Sequence, residues 1–241
     1  MRLVLFADGY VGGEIAAFLI NNFPKDLSLV VCVEKNRIYD LAKSKNIQVC
    51  DYRSDEKMLD NLICDLGILA WWPKIIKEPL LSLPKNGYIN THPSLLPYNR
   101  GKHYNFWSIV EQAPFGVTLH FVDAGVDTGD IIFQTRIDYD WSDTGETLYN
   151  KAQASMIELF MKKYHLIRIG RYRKKPQNSA AGSYHHSSEM EKVCQIKLDE
   201  KYQARHFLNL IRARTFIGHP SCFFVENDSK YEVMVTIKKV N

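Results

Sequence analysis

Over its first 140 residues the chain alternates short apolar runs with segments whose apolar residues recur every three or four positions. That alternation constrains the fold more than any other feature. Arg2 to Ala7 reads as a strand ending at Asp8-Gly9, and Val11, Ile15, Phe18 and Leu19 follow at helical spacing until Pro24 stops them. Leu27 to Val33 and Leu66 to Trp72 are further continuous apolar runs, with a polar helix over Ile38 to Lys45 and a connecting region between them. Tyr88 to Asn90, Phe115 to Val122 and Ile131 to Ile137 complete the strands. Runs apolar on both faces belong to buried parallel strands, and helices between them make βαβ units. The expected fold is an α/β, Rossmann-like, mostly parallel open sheet.

A long helix is expected from Thr144 to Ile167, with Leu148, Ala152, Met156, Leu159 and Phe160 on its buried side. The cations after it, Arg168, Arg171, Arg173, Lys174 and Lys175, suit a solvated helix C-terminus. Pro176 to Ser188 has no apolar period and reads as a linker or an extended covering strand. Beyond it, Asp199 is expected to cap a helix carrying Phe207, Leu208 and Ile211. Ser221 to Val225 and Tyr231 to Ile237 then flank the turn-prone Asn227-Asp228-Ser229 as a hairpin with one covered face. The expected division is a first domain over residues 1–175, a linker over 176–190 and a helix-plus-hairpin subdomain over 191–241. A half-covered hairpin suits a homodimer formed through this C-terminal region.

Hydrophobic residues make up 46% of the chain, enough for a sizeable core, yet no apolar run approaches the length of a membrane helix. The N-terminus runs straight into the first strand and is too short for a signal peptide, so a cytoplasmic protein with no membrane partner is expected. The net charge of +4 suits an anionic small molecule better than nucleic acid. The cysteines, five in number and scattered, include no Cys-x-x-Cys, which argues against a disulfide framework or a zinc site. His185 and His186 are adjacent in an extended segment and should face opposite ways, so no metal is expected there.

Gly9-Tyr10-Val11-Gly12-Gly13 is a glycine-bearing strand-to-helix turn without dinucleotide-binding spacing, and Gly9 remains a candidate for contacting an anion. The more informative stretch is Asn90-Thr91-His92-Pro93-Ser94-Leu95-Leu96-Pro97, at the end of a strand. Residues two apart in extended chain share a side, so Asn90 and His92 face one site. An amide donor beside an imidazole suits acyl transfer: the amide holds a developing oxyanion while the histidine moves a proton. A second stretch, Gly116 to Ile132, places Asp123, Asp127 and Asp130 with Gly125 and Gly129 in a loop between strands. One of these carboxylates reaching back to His92 would orient its ring.

Together these stretches resemble the 10-formyltetrahydrofolate-dependent formyltransferases, over roughly residues 65–140. The resemblance implies the formyltransferase fold, a 10-formyltetrahydrofolate co-substrate and no metal. It also implies a catalytic set falling on Asn90, His92 and Asp127, with Asp123 and Asp130 outside it. The backbone of Trp71, Trp72 and Pro73, with Asp123 and Gly125, would then line the pterin pocket. Asn99-Arg100-Gly101-Lys102-His103-x-Asn105-Phe106-Trp107 is similar to the branch that formylates nucleotide-linked amino sugars, although Tyr104 stands where that branch carries Pro. On that reading Lys74, Arg100 and Lys102 meet the acceptor's phosphates. Phe106, Trp107 and Phe223 pack on its base or sugar, and Gly9, Gly101 and His103 lie alongside. The branch points to a dTDP-linked 4-amino-4,6-dideoxyhexose destined for surface polysaccharide. Glycinamide ribonucleotide and methionyl-tRNA are the alternative acceptors, and a nucleotide-binding module without activity is the alternative from another class.

Overall fold

The computed structural model describes residues 1–54, 56–59 and 62–240. In chain order the elements are β1 (Leu3–Ala7), α1 (Gly9–Asn22), β2 (Leu27–Cys32), α2 (Arg37–Ser44), β3 (Val49–Asp51), β4 (Leu66–Ala70), β5 (Tyr88–His92) and β6 (Arg100–Gly101). After these come α3 (Tyr104–Val110), β7 (Phe115–Phe121), β8 (Ile131–Ile137), α4 (Gly145–Arg168), β9 (Tyr184–His185), α5 (Glu189–Val193), α6 (Ala204–Arg214), β10 (Cys222–Glu226) and β11 (Ser229–Val233). Seven strands form one sheet in the order β3-β2-β1-β4-β5-β7-β8. The first five run parallel, and β7 and β8 add antiparallel at the edge.

Every residue of β1 is buried, and alternation along it divides the core. Leu3, Leu5 and Ala7 join α1 and α4 on one face, while Val4 and Phe6 pack with Leu69 and Tyr88 on the other. Gly9 at φ +63° makes the turn from β1 into α1. Gly12 then lets α1 approach β4 so closely that a Cβ would sit 2.7 Å from the Ala70 carbonyl oxygen. Thr144 and Thr147 cap α4 reciprocally, each side chain accepting the other's backbone N–H. Among the described residues, no helix is long and apolar enough to cross a membrane.

Several expectations change. The connecting region before β4 contains β3, whose three residues are too few to carry a period. Trp71 adopts φ +55°, which ends β4 at Ala70, two residues earlier than the apolar run suggests. Asp199 caps nothing, because residues 197–200 close a turn and α6 begins only after Gln203. The hairpin turns on Asn227 and Asp228, both at positive φ, and pairing stops at Val233 opposite Cys222. The alternation of half-buried Val233, Val235 and Ile237 with exposed neighbours continues past it without a strand beside it. The segment expected as linker or cover is pinned to the chain between β5 and α3: β9 pairs parallel with β6, Arg100 against Tyr184 and Gly101 against His185.

Candidate active site

Asn90 and His92 sit at the carboxyl end of β5, where alternation puts both on the same side. The antiparallel register between β5 and β7 sets Asn90 directly opposite His120. Cross-strand partners share a face, and the Asn90 amide Nδ2 lies 3.3 Å from His120 Nε2. His120 Nδ1 donates to the Phe121 carbonyl at 2.7 Å, so Nε2 carries the lone pair that accepts from Asn90. One N–H of the Asn90 amide is thereby anchored and the other is left for a ligand.

Asp127 arrives from the loop between β7 and β8 at φ +54°. That conformation is held from two sides. The Gly101 N–H donates to its Oδ2 at 3.0 Å, and Gln177 Nε2 donates to its carbonyl at 2.9 Å and to that of Gly129 at 2.7 Å. Asp127 Oδ1 lies 3.4 Å from His92 Nδ1 and 3.7 Å from His120 Nε2. His92 is buried, and its other nitrogen, Nε2, has no hydrogen-bond partner within the protein. Its Nδ1 side therefore faces a carboxylate while Nε2 is left without a protein partner.

Burial raises the Asp127 carboxyl, but the neighbouring His92, the Gly101 N–H, His120 and Lys102 outweigh it and hold the group below its usual range. Burial, and then the charge of His92, push the His120 imidazole down from 6.5 to about 4 against the pull of Asp127. The unfolded chain takes up this proton below about 6.5 and the folded chain only near 4. The unfolded state thus binds more protons across that window, and stability falls as pH drops through it. Denaturation of the His120→Asn variant, measured from pH 7 to 4, is expected to lose this part of the acid slope. An unchanged slope would mean that His120 is protonated when folded.

The three groups border a cavity of about 810 Å³. Trp71, Trp72, Pro73, Lys74, Gly101, Lys102, Asp123 and Gly125 line it together with Asn90, His92 and Asp127. Six expected contacts do not line it. Gly9 lies at the α1 turn, nearest the Trp71 indole, and Phe106 belongs to the core. Trp107 is also buried, its ring stacked 3.9 Å from that of His185. Arg100 and His103 flank the lining residues Gly101 and Lys102 without joining them, and Phe223 is on β10 under the Lys230 ammonium at 4.1 Å. His120 and Gln177 were present in the quoted stretches but unassigned, since the group each one holds lies far off in sequence, Asn90 30 residues from His120 and Asp127 50 from Gln177. Tyr104, marked only as a departure, opens α3 and lines the cavity with its ring centroid 6.3 Å from that of His92. Ligand atoms of His92, His120 and Asp127 lie within 4.8 Å of one another, close enough to share an ion. The Asn90 amide, however, already occupies the His120 lone pair.

An amide, an imidazole and a carboxylate at the carboxyl ends of an open α/β sheet, beside a cavity, are the groups that a group-transfer site of the acyl type uses. The particular family follows from comparison: a model described as formyl transferase matches residues 28–163, and the chain belongs to that family. A second model, described as the N-formyltransferase dimerization C-terminal domain, matches residues 189–239. The chain is similar to a dTDP-4-amino-4,6-dideoxyglucose formyltransferase of Mycobacterium tuberculosis, 30% identical over 138 residues, which are 57% of this chain and 58% of the relative. It is also 30% identical over 205 residues to a methionyl-tRNA formyltransferase of Clostridioides difficile, covering 83% of this chain and 65% of that one. The chain spans about half the length of the curated relatives it matches. A crystal structure of a sugar N-formyltransferase from Shewanella shares the fold, with a TM-score of 0.82 and 22% identity over 100% of this chain and 99% of that one.

Proposed function

We propose that this chain transfers a formyl group from 10-formyltetrahydrofolate to the primary amine of a nucleotide-linked amino sugar. The observation that carries the reading is the meeting of Asn90, His92 and Asp127 at one wall of the cavity. The unprotonated amine attacks the formyl carbon, and the free N–H of Asn90 holds the oxygen that gains charge. His92 Nε2 takes the proton released by the amine, with Asp127 stabilising the ring through Nδ1. As the intermediate collapses, the bond from carbon to the folate nitrogen breaks, and that nitrogen receives the proton from His92. The pterin lies along Trp71, Trp72 and Pro73 with Asp123 and Gly125. Lys74 and Lys102, which line the same cavity, meet anionic groups of the two substrates.

The acceptor is read as a dTDP-4-amino-4,6-dideoxyhexose, 4-amino-4,6-dideoxyglucose in the first place. The similarity to the mycobacterial enzyme of that name supports this. Cytoplasmic action and a product destined for surface polysaccharide rest on the branch resemblance alone. Residues 1–175 are read as the catalytic domain, 176–190 as its linker and 191–241 as the subdomain that pairs two copies. The match to the dimerization domain and the exposed apolar Val225, Tyr231 and Met234 of the hairpin region support that pairing. Mass spectrometry of products from one folate donor and a panel of dTDP- and UDP-linked amino sugars, glycinamide ribonucleotide and initiator methionyl-tRNA tests the reading. A mass gain of one formyl group on an amino sugar is expected. Formylation of the ribonucleotide or the RNA alone would replace it.

A further inference from the structure

We propose that His185 is a positioning residue for the catalytic carboxylate, acting through the backbone of Gly101; this rests on the role proposed for Asp127. The ring of His185 is only 8% exposed as part of its residue. It stacks on Trp107 of α3 with centroids 3.9 Å apart and planes 7° from parallel. Both ring nitrogens face carboxylates: Nε2 lies 2.8 Å from Glu111 Oε1, just beyond α3, and Nδ1 lies 3.2 Å from Glu189 Oε2, at the start of α5. The Nε2 contact is not an aligned hydrogen bond, so on this side Glu111 holds the strap through its second oxygen. The second oxygen of each carboxylate grips the same strap, Glu189 accepting from the His186 N–H at 3.0 Å and Glu111, at 3.2 Å, sharing the Ser183 hydroxyl proton with Asn99 Oδ1.

The strap is thus clamped on α3, and its backbone shapes the catalytic loop. The Ser183 carbonyl accepts the Arg100 N–H at 3.0 Å and the His185 carbonyl accepts the Lys102 N–H at 3.1 Å. Between those two bonds sits Gly101, pressed so close that a Cβ would lie 2.4 Å from the His185 oxygen. Its own N–H points the other way, onto Asp127 Oδ2 at 3.0 Å. The clamp therefore sets where that donor stands, and the donor sets Asp127 against His92. A misplacement of about 1 Å in a reacting group costs about 100-fold in rate.

Two variants test this, both read by amide exchange and the first by turnover as well. His185→Ala removes the clamp. Glu189→Ala, at a side chain 45% exposed, removes one arm with little risk to the fold. Amide hydrogen exchange by NMR, which needs no turnover, is expected to show the Gly101 N–H exchanging at least about 10-fold faster in both variants, with β1 and β4 amides unchanged. Formyl transfer is expected to lose about 10- to 100-fold in kcat in His185→Ala, with the KM for folate within about threefold. Unchanged Gly101 exchange in both variants would overturn the inference. So would full kcat with a freed Gly101 amide. Unmodified protein that transfers no formyl group to any acceptor would instead defeat the proposed activity, and the exchange result would still decide the clamp.

Discussion

Asparagine in place of His92 is expected to lower formyl transfer about 100- to 10,000-fold while leaving the protein folded and able to bind folate. The residue is 5% exposed, so a smaller planar side chain is accommodated without opening the site to water. An amide in that place can still donate toward Asp127. It cannot accept a proton from the attacking amine, because an amide nitrogen has no basic lone pair. The amine would then have to lose its proton to solvent inside the cavity. Single-turnover kinetics separate this from binding: kcat falls while a folate analogue titrated by tryptophan fluorescence, with Trp71 and Trp72 on the cavity wall, binds as before. Wild-type turnover in His92→Asn would remove the imidazole from the reaction altogether.

The second large effect is expected at Asp127. Alanine there is expected to cost about 1,000-fold in kcat, since a carboxylate that orients and charges a catalytic imidazole is worth up to about 10,000-fold elsewhere. Two losses combine: His92 Nδ1 loses the oxygen 3.4 Å away, and the Gly101 N–H loses its acceptor. Comparing Asp127→Ala with Asp127→Asn separates them. Asparagine retains an oxygen for Gly101 but no charge, so it should keep the loop in place, with folate KM near that of the unmodified protein, and still lose most of kcat. If asparagine restored full turnover, the charge would be dispensable and the carboxylate would be a loop anchor only. The anion is present over the whole range of such an assay, because His92, the Gly101 N–H and their neighbours overcome burial and keep this carboxyl below its usual range.

Much of the site could be read along the chain, and the reason is local. Alternation in an extended segment places Asn90 and His92 together whatever surrounds them, and β5 carries both. Gly129 and Gly125 marked a loop able to bring a carboxylate inward, though choosing Asp127 over Asp123 rested on the family resemblance. In the structure Asp123 instead accepts from the Gly125 N–H at 3.0 Å and from the Thr128 hydroxyl at 2.6 Å, an internal brace of the loop. Other readings misled because an aromatic side chain has no local signature for its surroundings. Phe106 and Trp107 sit in the stretch that resembles a ligand loop, yet helix α3 turns both into the interior. Tyr104, one turn earlier, faces the cavity instead.

The sequence by itself determined the strands and helices of the open sheet, their alternation, and the pairing of an amide with an imidazole at one strand end. These follow from side-chain volume and the fixed periods of extended and helical backbone, which act over a few residues. Tertiary structure alone decided that His120 holds Asn90, that Gly101 and Gln177 hold Asp127, and that His185 closes a strap over them. Those contacts join positions 26 to 84 residues apart, through Gly101–Asp127, Asn90–His120, Gln177–Asp127 and the Asn99–Ser183 pairing beside the strap. Such distances are bridged only when strand register and loop closure are set by the packed core, and no local period encodes them.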